Sequence, residues 1–445
     1  LVTSKDELKA RVCAEIDRQA ERITALSDEI MRHPETGFRE RGTARRVAEQ
    51  FAAMNLPHRT GLAGTGVKAR MRGRTSRRTV AVLGELDSLL VADHPHADPR
   101  TGAAHACGHN AMIASMVGAG LGLQPVMDEL DGDVVLFAAP AEECIELDWR
   151  LQLRDRGELD FPLGKAELIR LGEFDDVDMA ITTHTAGGAD GPLAISGTTM
   201  NGALIKRVRF RGRAAHAGAE PWSGVNAAKA LNLASAAIDA QRETFRDSDM
   251  VRISQLITKG GDAVSVIPDV AEMEMMVRAR TVAAMQDASR KVDRSLRAGA
   301  IAMGAEVEIT TVTAYLPLTP DEPLVDVVDR NSRAVLGEDR VLRDGGHAGG
   351  STDVGDLGQI MPVAHPMAAS GCDAPFHSSQ YFVADHVLAA VNPAKFMAMS
   401  VVDLLADGAA EAERVIAASG PKLTRDEYVG LRSTLDSVQL HGEDH

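Results

Sequence analysis

Thr79-Val80-Ala81-Val82-Leu83-Gly84-Glu85-Leu86-Asp87 is an apolar, β-branched run that stops at two carboxylates. Two further runs share its character: Asp133–Phe137, followed by Glu142-Glu143, and Met179–Thr183, followed by His184. Each is flanked by helix-like or loop-like sequence, the pattern of buried, mainly parallel strands in an α/β domain. Ligands of open α/β sheets gather beyond the carboxyl ends of the strands. Three strands that deliver proton- or metal-binding groups at that end therefore predict one shared site.

Upstream, apolar positions at helical spacing (Leu8, Val12, Ile16, then Ile23, Leu26, Ile30) predict helices over residues 5–54, broken at Pro34 and resumed from about Thr43. Downstream, the pattern changes to strand Lys206–Phe210, helix Val225–Arg242, strand Val251–Thr258, strand Glu272–Val277, helix Thr281–Gly304 and strand Glu306–Val312. That β-α-β-β-α-β order is the ferredoxin-like split arrangement, a self-sufficient antiparallel sandwich. It predicts an insertion at 205–312 within a larger domain made of 1–204 and 313–445. The expected fold class is thus α/β, a mainly parallel-sheet domain with an inserted ferredoxin-like (βαββαβ) domain. Past Pro317 the α/β character returns. Helical sequence then runs from Asp385 to Leu405, where Pro393 predicts a kink or restart, and the polar tail Leu440–His445 is expected to fray.

The chain has 445 residues, and 48 Lys and Arg against 64 Asp and Glu give a formal charge of −16. That sign repels phosphate backbones and anionic lipid, so neither nucleic acid nor membrane is an expected partner. No window approaches the run of about 18 apolar residues that marks a membrane span. The start, Leu1-Val-Thr-Ser-Lys-Asp-Glu7, lacks the basic-then-apolar order of a signal peptide, and a cytoplasmic location is expected. Cys13, Cys107, Cys144 and Cys372 are too sparse for a disulfide framework and read as free thiols or ligands. The serine-hydrolase elbow, the dinucleotide fingerprint and the phosphate loop are all missing from the sequence.

The densest reactive cluster is His105-Ala-Cys107-Gly-His109-Asn110, between a Pro/Asp/Gly-rich loop and the helix-like run Ala111–Leu123. Cysteine and histidine two residues apart can face one ion, and thiolate with imidazole suits zinc and other late first-row metals. Such a pair is often incidental when it stands alone, but the groups at the other strand ends change its weight. Adjacent Glu142 and Glu143 would repel each other unless a cation or a shared proton offsets them. With a metal, one ligates while the other stays free as general base, the division of labour that hydrolytic sites need. Without Cys107 and His109 they would read as two surface acids. The strand-end position of His184 favours a ligand over a core histidine. His365 and His377 compete for the role of a late ligand, and spacing does not separate them. His216 is either a turn histidine or a group that reaches a substrate oxygen.

Together these motifs resemble the M20 metallopeptidase family, in its amidohydrolase branch of aminoacylase-like, hippurate hydrolase-like and aminobenzoyl-glutamate hydrolase-like enzymes. The resemblance runs nearly end to end, through Arg32-His-Pro-Glu-Thr-Gly-Phe38, His105–Asn110, Pro140–Glu143, Ala215-His-Ala217, Val266-Ile-Pro-Asp269, Gly350-Ser-Thr-Asp353 and Phe376-His-Ser378. It implies that the insert is a lid that mediates dimerisation. It also implies that Cys107, His109, Glu143, His184 and His377 hold two divalent metal ions, with Cys107 bridging; zinc or manganese comes first, cobalt or nickel second. By the same resemblance Glu142 is the general base, and His377 rather than His365 is the late ligand. His216 would act in the partner subunit's site, Arg278 near the substrate's carboxylate or the oxyanion, and Asp87 in support of the ligands. The chain departs from the pattern at Asn110, where many members of the branch have Asp. It departs again at Glu85, where other M20 branches have a metal-binding His, and at Ser265, where Asn is usual.

The function this implies is metal-dependent hydrolysis of the amide bond of a small N-acyl or N-aroyl amino acid or a dipeptide, by a homodimer. The rivals are a dipeptidase or carboxypeptidase for longer peptides and a non-catalytic, metal-stabilised binder of small carboxylates. A pure binder needs no base, so the presence of Glu142 argues against the last.

Overall fold

The computed structural model describes residues 3–442. The described residues form two compact units, one of residues 3–199, Thr319–Gly346 and Asp356–Arg425, the other of Met200–Leu318, His347–Gly355 and residues 426–442.

The first unit is built on a six-stranded sheet in the order His58–Leu62, Gly66–Met71, Asp133–Ala139, Thr79–Glu85, Met179–Ile181, Val363–Ala364. The last four strands run parallel to one another, and the first two form an antiparallel hairpin that also joins Asp133–Ala139 antiparallel. Thr79–Glu85 and Asp133–Ala139 are buried at every residue, which explains why their sequence is continuously apolar rather than alternating. Helix His109–Leu123 is likewise buried on all sides. Its Gly120 permits close approach to the sheet, since a Cβ there would stand 2.4 Å from Leu136 Cδ1.

Val387–Leu405 is long and apolar enough to cross a membrane, yet most of it is buried, packed in the core with helix His109–Leu123. The expected irregularity at Pro393 takes the form of a π-helical stretch, Val387–Val391, leading into the α-helix Asn392–Leu405 with Pro393 in its first turn. Proline has no N–H to donate, and a widened turn is one way a helix accommodates that. The strand expected over Met179–Thr183 stops at Ile181. His184–Ala186 opens a separate short strand, parallel to Met367–Ala369 in a different sheet.

The second unit has an antiparallel sheet in the order Arg252–Lys259, Val270–Ala279, Gly202–Arg211, Glu306–Tyr315, Ser437–His441. Helices Ala227–Ala240 and Val282–Met303 pack on one face of it. Burial alternates residue by residue along Val270–Ala279, as one covered and one open face require. The first four strands and two helices are the β-α-β-β-α-β order read from the sequence. The fifth strand is new: Leu440 and His441 do not fray but pair with Glu308 and Val307. The rest of the tail, Glu443–His445, lies outside the described residues, as do Leu1 and Val2.

Candidate metal centre

Cys107 and His109 flank Gly108, whose left-handed backbone (φ 85°) starts helix His109–Leu123. A Cβ at Gly108 would lie 2.3 Å from Thr185 Oγ1, so only glycine fits this junction. Thr185 Oγ1 donates to Cys107 O at 2.9 Å and accepts from the Tyr381 hydroxyl at 2.6 Å. Around this support the expected residues of the first unit converge. Cys107 Sγ lies 3.3 Å from His184 Nε2 and 3.4 Å from His377 Nε2. His377 Nε2 is also 3.4 Å from Glu143 Oε1. His109 Nε2 lies 3.2 Å from Glu85 Oε2 and 4.0 Å from Glu142 Oε2.

Donor atoms all within 4.8 Å of one another define three groups: Cys107 with His109 and His184, Cys107 with Glu143 and His377, and Glu85 with His109 and Glu142. The outer atoms of the histidines are fixed by hydrogen bonds behind them. His109 Nδ1 donates to Asp87 O at 3.0 Å and His184 Nδ1 to Thr185 O at 2.9 Å, which turns Nε2 of each toward the cluster. His377, at φ 64°, is held through its backbone N–H on Ala106 O at 2.9 Å. Asp87 Oδ2 accepts the backbone N–H of Glu143 at 2.9 Å, so one buried residue steadies two of the expected ligands, His109 through its carbonyl and Glu143 through its carboxylate.

Several side chains here fit a cation. Glu85 Oε2, His109 Nε2 and Glu143 Oε1 are buried without hydrogen-bond partners. Burial pushes the Cys107 thiol well up, and the Glu143 carboxylate pushes it further. Burial, then the charge of His109, pushes His184 down to about 4. A thiol, imidazoles and carboxylates that crowd like this are a donor set for late first-row divalent metals.

Three contributors escaped the sequence reading. Lys165 Nζ sits 2.5 Å from Glu85 Oε1 with both side chains buried. Burial alone would raise Glu85, but the Lys165 ammonium, with His109 and His184, outweighs it and holds the carboxyl at about 2. The fully buried Arg150 donates to the Glu143 carbonyl and to Pro162 O. Glu40, also fully buried, accepts the Ala141 N–H at 2.8 Å and the Thr65 hydroxyl at 2.7 Å. It thereby holds Ala141 at φ 50°, immediately before Glu142. Nothing in the local sequence distinguishes these charged residues from the usual surface ones.

Burial, then the Asp87 charge, raises Glu40 from 4.5 to about 8. A raised folded-state pKa gives stability that is complete below the unfolded value and lost as pH rises through the folded one. The wild-type melting temperature is therefore expected to fall between pH 4.5 and 8 through this group, and Glu40→Gln to flatten that slope in thermal melts. An unchanged slope would mean that Glu40 is ionised in the fold.

His365 lies beside the cluster, its ring 6.0 Å from that of His184, but it belongs to none of the three donor groups. Asn110 turns its amide to Ser27 O at 3.2 Å. His216 and Arg278 lie in the second unit. His216 Nδ1 accepts the N–H groups of Gly218 and Ala219 at 3.1 and 3.0 Å, which leaves the proton on Nε2. Arg278, on strand Val270–Ala279, reaches Ser254 Oγ at 3.5 Å.

Residues 81–392 match the model of peptidase family M20/M25/M40. The mouse Xaa-Arg dipeptidase is 28% identical over 422 residues, 89% of each chain. The N-acyl-L-amino acid amidohydrolase of Geobacillus stearothermophilus is 25% identical over 71% of this chain and 81% of its own. The crystal structure of the Bacillus subtilis YXEP protein, described as a dinuclear metal binding peptidase, superposes with a TM-score of 0.62 at 20% identity, over 86% of this chain and 98% of that one.

Proposed function

The chain belongs to peptidase family M20/M25/M40, and from that premise we propose that it hydrolyses the amide bond of a small N-acyl or N-aroyl amino acid or a dipeptide, with Glu142 as general base. One observation carries the reading: Cys107 belongs to two donor groups at once, with His109 and His184 in one and Glu143 and His377 in the other. Each group would hold one divalent ion and Cys107 would serve both, with zinc or manganese as the proposed metals and cobalt or nickel as substitutes. Ions bound there act as Lewis acids that acidify water and polarise the scissile carbonyl.

The protein's own groups do the rest. Glu142 accepts the proton of the attacking water and passes it to the leaving amine nitrogen. Asp87 keeps His109 and Glu143 in register for this step through its two backbone-anchored contacts. His216, with its proton on Nε2, donates to the carbonyl oxygen as negative charge develops there, serving the partner subunit of a cytoplasmic homodimer. Arg278 takes the substrate's carboxylate. Similarity to the Xaa-Arg dipeptidase over 89% of the chain favours dipeptides as a second class of substrate.

The test is removal of metal. Dialysis against a chelator is expected to abolish hydrolysis of acyl amino acids and dipeptides, and added zinc or manganese to restore it. Cys107→Ala is expected to lose both ions by elemental analysis, because it removes a donor from each group. A chelated protein with full turnover, or a variant that keeps both ions, would sink the proposal.

A further inference from the structure

The stretch Arg32-His-Pro-Glu-Thr-Gly-Phe38 contributes to none of the three donor groups. Its last residue and the two that follow nevertheless clamp the segment that carries Glu142 and Glu143. Arg39 Cζ lies 4.0 Å from the centre of the Trp149 ring, and Arg150 Cζ lies 5.4 Å from that of the Phe38 ring. Two adjacent residues thus exchange cation–π contacts with two adjacent residues of another segment. Glu40 completes the clamp by accepting the Ala141 N–H at 2.8 Å. Gly37 lets the two segments close up, since a Cβ there would stand 2.4 Å from Arg150 Nη2 and 2.8 Å from Ala141 Cβ.

The clamped segment has little to hold it by itself. Between strand Asp133–Ala139 and helix Leu147–Asp155 it has no regular structure, and no side chain caps the start of that helix. It enters and leaves through two left-handed residues other than glycine, Ala141 at φ 50° and Glu146 at φ 53°, a conformation that persists only where the surroundings enforce it. Each is met by a residue of the clamp: Ala141 by Glu40, and Glu146 by Arg39, whose guanidinium lies 3.1 Å from its carboxylate. Between them Arg150 donates to the Glu143 carbonyl. The clamp is in turn fixed to the end of the sheet, where Ser88, next to Asp87, donates its backbone N–H to Glu35 O at 2.9 Å.

We propose that Arg39 and Trp149 are positioning residues: their contact, seated on the reciprocal one between Arg150 and Phe38, sets Glu143 for its ion and Glu142 for the attacking water. For Glu142 this rests on the hydrolase reading; for Glu143 it rests on the donor group alone. Residues that hold a metal ligand from behind typically control metal affinity or activity by about 10–100-fold. Glu143 belongs to only one of the two groups that would hold an ion, the one with Cys107 and His377. The effect of the clamp therefore falls on one ion and spares the other.

The test titrates zinc into the metal-free full chain against a competing chelating dye, for the wild type, R39M, W149L and R39M/W149L. Each single variant is expected to bind one ion about 10–100-fold more weakly and the other as the wild type does. The double variant should be no weaker than R39M, since both substitutions remove the same contact. R39K keeps a cation for the ring and should recover part of the loss. At saturating metal kcat should still fall by about tenfold or more with KM unmoved, because Glu142 rides on the same segment. Arg39 is exposed and Trp149 half-buried, and a thermal melt of the metal-free variants checks that they fold. Wild-type affinity for both ions in R39M and W149L, equal weakening of both ions, or effects that multiply in the double variant would overturn the inference. An unchanged kcat at saturating metal would overturn its claim on Glu142. A wild-type chain that binds both ions but hydrolyses no acyl amino acid or dipeptide would overturn the hydrolase reading and leave the positioning of Glu143 standing; one that binds no ion would overturn both.

Discussion

Glu142→Gln is expected to lower kcat by about a hundred- to ten-thousand-fold, the range general acid–base catalysis contributes, while metal content stays at the wild-type level. Glutamine has the shape of glutamate but cannot accept the water's proton, so the loss should fall on kcat rather than KM. The variant separates two roles that the geometry allows. Glu142 Oε2 lies 4.0 Å from His109 Nε2, and Glu142 forms a third donor group with Glu85 and His109. If elemental analysis shows that Glu142→Gln has lost an ion, Glu142 is a ligand and the base lies elsewhere. If turnover survives, it is neither.

The second large effect is on stability. Lys165→Met is expected to cost about 3–5 kcal/mol in urea denaturation of the metal-free protein, the typical penalty for removing one partner of a buried ion pair. The ammonium at 2.5 Å is the strongest of the charges that hold Glu85 ionised inside the sheet's end, and without it the carboxylate is buried with no fixed cation. Replacing both partners, Glu85→Gln with Lys165→Met, should recover most of the loss, because an apolar or neutral pair avoids the orphaned charge. A single variant as stable as the wild type would mean that Glu85 simply takes up a proton at little cost.

The parts of this molecule that were legible in its sequence are those with a short-range physical signature. Thr79–Glu85 and Asp133–Ala139 are buried on both faces, so their apolar runs announced them. The alternation of Val270–Ala279 reflects one covered face. Cys107, His109, Glu143 and His184 stood out because each lies where a strand or loop gives way to another element, whereas His377 was preferred to His365 only through the family resemblance; the fold brings all five within a few ångströms. Lys165, Arg150 and Glu40 were not legible. Their burial depends on partners far away in sequence, such as Glu85, 80 residues from Lys165, and a charged residue carries no local mark of an internal partner. The break at Ile181 escaped for a similar reason. His184–Ala186 leaves its strand to pair with Met367–Ala369, a choice made by a distant segment.

The strand Ser437–His441 has a practical corollary for anyone who would handle the second unit by itself. Cutting out residues 200–318 as a fragment would strip Glu306–Tyr315 of its outer neighbour and leave a row of backbone donors and acceptors open to any other chain. It would also discard Arg432 and Asp436, whose side chains bond to Thr313. The unit is thus discontinuous in the gene although compact in space, and a soluble excised form would need to splice the last strand back on.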